Sequence, residues 1–305
     1  VNLLASVAPD ADPFQFQPHP EVWMLIVGVI LLGLYVVRVV GPKAVEPGTP
    51  VVSRRQIGWF VGGVVMLWVA SDWPLHDLAE NYLYTLHMVQ HLLLTFIVPP
   101  MFWLATPGWL ARLVIRDDRR SYAVLKKVAA PVVAGVTFNA VTVLMHWPTI
   151  VNTSVEVGPF HYLVHVVIVS SAFLMWIPVC GPWPELRLKP PGQMIYLFMM
   201  SIIPTVPGAW LTMADSPVYA AYDHLPRLWG MSVLDDQATA GVFMKLGGGM
   251  FLWAVIILMF FRWALQQERE NRQNRVVIDP ETMLPVGVGV ADGHDERERE
   301  TAPRS

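Results

Sequence analysis

Histidines stand four residues apart twice in this chain, in "HMVQH" at 87–91 and in "HYLVH" at 161–165. At 3.6 residues per turn, each pair projects from one side of a helix. Imidazole binds zinc, copper and iron, and thioether sulfur favours Cu(I). Residues of related chemistry recur at similar depth: Asp72 and His76 in "SDWPLH", His146 in "LMHWP", and Asp235, Asp236 and Gln237 in "DDQATAG". The candidate metal ligands are therefore His87, His91, His165, His146, His76, Asp72 and Asp236. His161, Gln237, Met244 and Met88 are candidate supports, with His161 nearer the surface, where an ion would enter or leave. Met88 turns about 100° from His87 on a helix, yet it is an i,i+3 neighbour of His91.

Each of these residues also has a plainer use. A single histidine near an interface packs or hydrogen-bonds more often than it ligates. Asp72 and Asp236 suit helix caps. Methionine fills irregular gaps, and most of the thirteen tryptophans suit an interfacial belt. His19, His224 and His294 fall in loops or the tail and read as surface residues. Two matching pairs with His146 and His76 weigh more than any one of them. Three function classes fit. One is transient binding of copper and its delivery to another membrane protein. A second is a zinc or iron enzyme, three His and an Asp leaving an open position for activated water. The third is haem carriage on paired axial histidines, which needs a wide apolar slot. No Walker motif, no GxSxG with partners and no nucleic-acid signature is present, and Cys180 as the one cysteine excludes a CxxC site.

The elements that must position these residues are membrane helices. The chain is 54% hydrophobic and 15% charged, with mean hydropathy +0.45. A soluble domain carries about a quarter charged residues, and a bilayer crossing needs roughly 20 apolar residues as a helix. The reading is an all-α polytopic membrane protein with seven transmembrane helices at 22–40, 56–71, 82–104, 131–147, 159–180, 193–214 and 237–264. Pro99-Pro100 should kink or break the third, and Pro204, Pro207 and Gly208 the sixth. Connections 41–55, 105–130 and 181–192 are basic, whereas 1–21, 72–81 and 148–158 hold no Lys or Arg and 215–236 holds only Arg227. The positive-inside rule then gives an outside N-terminus and a cytoplasmic C-terminus. Residues 1–21 form an extracytoplasmic segment, 22–265 the membrane domain, and 266–305 a charged cytoplasmic tail, disordered at its end. The first twenty residues lack a basic n-region and so do not read as a cleaved signal peptide. Residues 107–130 suit an amphipathic helix on the inner face as well as a basic loop. In this frame the histidines collect in the outer third of the membrane, and one outward-opening polar cavity accounts for them.

"YTLHMVQHLLLTFIVPPMFWLATPGW", then "HWP" at 146–148, "HYLVH" at 161–165 and "DDQATAG" at 235–241 followed by Met244, resembles the CtaG-type cytochrome c oxidase assembly factors over about residues 20–265. The resemblance implies a seven-span, non-enzymatic factor of a bacterial cytoplasmic membrane, needed to make active haem-copper oxidase. It implies copper, as Cu(I), for the oxidase's buried copper centre, with an oxidase subunit and an extracytoplasmic copper donor as partners in the lipid. Zinc is the alternative metal. Lys245 departs from the family pattern, where an aromatic residue follows the methionine; facing the cavity, it would repel a bound ion.

Overall fold

The computed structural model describes residues 12–116 and 120–273 and two short strands at 277–278 and 285–286. Expectations for residues 1–11, for His294 and for the end of the tail lie outside the described residues. Among the described residues, six helical segments are long and apolar enough to cross a membrane: α1 (Pro20–Ala44), α2 (Arg54–Asn81), α3 (Tyr84–Ala105), α6 (Gly158–Cys180), α7 (Pro190–Met213) and α8 (Val233–Arg272). Between α3 and α6 lie α4 (Pro131–Met145) and α5 (Pro148–Glu156). Helix α4 has 15 residues and passes the test for a span only together with Arg120–Val128, from which it is bent by 66°. Among the described residues the candidate membrane helices thus number six, or up to seven with the bent pair counted as one. The chain divides into two compact units, Val1–Leu258 and Met259–Ser305. Every residue of the candidate site belongs to the first, which is helical among its described residues. The second contains the two-residue ladder pairing Val277 with Val286.

Local chemistry sets these boundaries. Proline, with φ preset and no N–H to lose, opens α1, α4, α5 and α7. A capping box opens α2: the Gln56 backbone N–H donates to Ser53 Oγ at 3.2 Å, and the Ser53 N–H donates to Gln56 Oε1 at 2.8 Å. Met24, Leu32, Val132, Val166, Ile195 and Met250 are exposed along the spans. Apolar exposure on this scale fits faces that meet lipid.

Two expectations change in detail. Helix α2 breaks after Ser71, where the second span is expected to end. After a turn at Asp72–Pro74 it resumes as Leu75–Asn81, so a segment read as an outer loop is helical. Pro99-Pro100, expected to kink or break α3, does not break it: the helix runs on to Ala105. A π-helical turn at Leu93–Ile97 precedes the prolines, which sit in the first turns of Val98–Ala105. Pro99 cannot donate to the Thr95 carbonyl, and Trp176 Nε1 of α6 donates to it instead at 3.0 Å. Helix α7, by contrast, is interrupted at Ile203–Pro204, as its prolines lead one to expect. Residues 107–130 contain helices at Gly108–Val114 and Arg120–Val128.

Candidate metal centre

The start of α3 carries His87 and His91, and the start of α6 carries His161 and His165. Their four rings gather in one cluster. Ring centroids lie 4.4 Å apart for His87 and His91, 4.7 Å for His91 and His165, 5.7 Å for His87 and His165, and 4.4 Å for His161 and His165. One ligand nitrogen from each of His87, His91 and His165 lies within 4.8 Å of the other two. Two nitrogens bound at about 2 Å to one ion stand at most about 4 Å apart, so small side-chain rotations close the set.

Glu80 completes the cluster and was not among the sequence candidates. It is buried on the resumed part of α2, with Oε1 3.0 Å from His87 Nδ1 and 3.3 Å from His161 Nε2. With His161 and His165 it forms a second group of three potential ligands. The signal for it was present: His76 and Glu80 stand four apart, the same spacing as the histidine pairs. Its contact with His87 places a proton on Nδ1 and leaves Nε2 as the donor, the carboxylate–imidazole arrangement common behind metal ligands. The residues fit a metal by another mark as well: His91 Nε2, His165 Nε2 and His161 Nδ1 are buried without a hydrogen-bond partner. Leaving buried polar atoms unpaired is costly. An ion bound by these imidazoles relieves that cost.

The remaining sequence candidates take other positions. Asp72 does not offer its carboxylate to the cluster: Oδ2 accepts from the indoles of Trp23 and Trp68, and Oδ1 from the Trp73 backbone N–H. Asp236 is almost fully buried, and its oxygens accept the backbone N–H groups of Tyr84 at 2.8 Å and Thr85 at 2.9 Å. It therefore caps α3 from α8 and fixes the helix that presents His87 and His91. Gln237 likewise ties α8 to its neighbours, accepting from Val218 N and donating to the Leu211 carbonyl. His76 is held by Gln90, whose Nε2 lies 3.1 Å from its Nδ1 and 2.7 Å from the Ala70 carbonyl. His19, read as a plain surface residue, lies 3.1 Å from both oxygens of buried Asp77 and meets the His76 ring edge-on at 5.0 Å. Burial pulls the His19 pKa down, but the carboxylates of Asp77 and Glu21 outweigh it and raise it overall. His224 lies exposed in a short 3₁₀ turn.

Met88, His91, His146 and Met244, with apolar neighbours such as Phe96 and Ile168, line a cavity of about 40 Å³. Met244 is buried whereas Lys245 is exposed, so the lysine does not place its charge in this space.

A bundle of membrane helices with imidazoles from α3 and α6 gathered around one carboxylate defines a multi-pass membrane protein with a candidate metal centre. The chain belongs to the cytochrome c oxidase caa3 assembly factor family, whose model matches residues 15–266. Among curated proteins it is similar to uncharacterized proteins of Mycobacterium bovis and Mycobacterium tuberculosis. Each is 25% identical over 247 residues, covering 72% of this chain and 36% of the relative. The chain thus spans little more than a third of the length of these curated relatives. No solved structure matches it.

Proposed function

We propose that the protein binds copper, as Cu(I), at His87, His91 and His165, and supplies it to the buried copper centre of a haem-copper oxidase in a bacterial cytoplasmic membrane. The convergence of these three nitrogens within 4.8 Å, on helices of a chain from an oxidase assembly family, carries the reading. His161, expected nearer the surface, is buried together with Glu80, and the two lie beside these ligands as a second position for the ion, while His76 and Asp236 orient the helices rather than ligate. The charge pattern of the connections supports an outside N-terminus and a pocket that opens outward, facing an extracytoplasmic copper donor. Copper is cargo here, so the ligands must release it, and no turnover is required.

A zinc enzyme on the same residues is the second reading, favoured by one observation: Glu80 adds a carboxylate oxygen to the imidazoles, a donor set zinc accepts. Haem has less support. A cavity of about 40 Å³ beside the rings admits an ion or a water but no macrocycle.

His87→Ala and His91→Ala test the proposal. Each is expected to lower copper bound by the purified protein and to lower the copper content of the oxidase in cells carrying the variant. Normal oxidase copper in both variants refutes delivery. Tightly held zinc with no transferable copper supports the enzyme.

A further inference from the structure

We infer that the protein has a second, softer metal position, specific for a monovalent soft cation such as Cu(I), formed by Met88, His91, His146 and Met244. The inference rests on the metal reading of the neighbouring histidines and adds a distinct position to it. The cavity that these four residues line is about 40 Å³, large enough for an ion. His146 is buried, and its Nδ1 lies 2.6 Å from the Thr142 carbonyl. A carbonyl only accepts, so the proton sits on Nδ1 and Nε2 carries the lone pair. That Nε2 has no hydrogen-bond partner, nor does His91 Nε2, nor the buried Thr142 hydroxyl on the same cavity wall. Two methionines, 4% and 6% exposed, contribute thioethers.

Packing alone explains buried methionines. It does not explain the buried His146 nitrogen left without a partner in the wall of this cavity, since buried polar atoms normally find partners. Thioether and neutral imidazole suit Cu(I), whereas Glu80, His161 and His165 offer carboxylate oxygen and nitrogen, a set that a divalent ion accepts as well. His91 lines both positions, so an ion can pass from one to the other by exchanging ligands around a single ring. The nitrogen-rich position receives the ion. The ion is Cu(I) throughout, and the methionine position holds it away from the carboxylate.

The test uses the full-length protein purified in detergent. Its affinity for Cu(I) is read by competition with a chromophoric chelator, its affinity for Zn(II) by a fluorescent one, and the copper neighbours by X-ray absorption. Wild-type protein loaded with Cu(I) is expected to show sulfur neighbours. Met88→Leu with Met244→Leu is expected to remove them and to weaken Cu(I) at least about tenfold, with Zn(II) affinity unchanged. His165→Ala is expected to weaken Zn(II) more than Cu(I). Selenomethionine-labelled wild-type protein supplies the same readout without any substitution: a copper–selenium neighbour is expected. Cu(I) bound through nitrogen only, or held equally well by the double variant, overturns the soft position and leaves the histidine centre standing. Failure of the wild type to bind any Cu(I) overturns both.

Discussion

Asp236 illustrates why residue type at a position is weaker information than the contact it makes. As a carboxylate ahead of a membrane helix it reads equally as ligand or cap, and the structure commits both of its oxygens to the first N–H groups of α3. Asp236→Ala leaves those buried donors unpaired. Loss of about 2–3 kcal/mol is expected from charge-assisted bonds of this kind, measured as a lower midpoint of thermal unfolding in detergent. Metal affinity should fall with it, because His87 and His91 ride on the uncapped turn; full stability in the variant would contradict the capping role. The histidine pairs were legible because i,i+4 spacing survives any arrangement of the helices. The Asp72 contacts were not legible as a set. Those to Trp68 and Trp73 are local, but the third depends on Trp23 of α1 arriving beside α2, a juxtaposition no local pattern encodes. The link between His19 and Asp77 spans 58 residues and was hidden for the same reason.

At the scale of elements, close approach of helices decides what the cluster can be. Gly208 of α7 and Gly241 of α8 face each other so tightly that a Cβ on Gly241 would stand 2.5 Å from the Gly208 carbonyl oxygen. Small residues at such crossings let membrane helices approach closely. Gly241→Ala is expected to destabilise the protein by about 1–3 kcal/mol through overpacking, seen as a lower unfolding midpoint; an unchanged midpoint would mean that the two backbones separate freely. Apolar length and flanking prolines made most spans readable, with boundaries shifted by a few residues. The error at α2 has a physical source. "SDWPLHDLAEN" carries proline and acidic residues that suit a loop in water, but Asp77 and Glu80 are buried against histidines, where their charges have partners. Burial of that kind depends on tertiary packing and leaves no trace in hydropathy.

For the whole molecule the decisive question is which side of the membrane the cluster faces. The starts of α3 and α6 and the end of α2 bring it to one end of the bundle, and the basic connections lie at the other ends of the same helices. Insertion of a reporter within 214–232 is expected to give activity characteristic of the extracytoplasmic side, and fusion after residue 273 that of the cytosol. The opposite pattern would turn the pocket toward the cytosol and remove its access to an external copper donor. The π-helical turns at Leu93–Ile97 in α3 and at Phe243–Gly247 in α8 carry a different implication. Each acts as a phase shifter, accommodating a surplus residue that an α-helical turn would not hold. Deleting that surplus would rotate the preceding segment by about 100°, swinging His87 and His91 out of register with the prolines below them. Deletion of a single residue in either stretch is therefore expected to disrupt the packing of the segment ahead of it, even where every other side chain is kept.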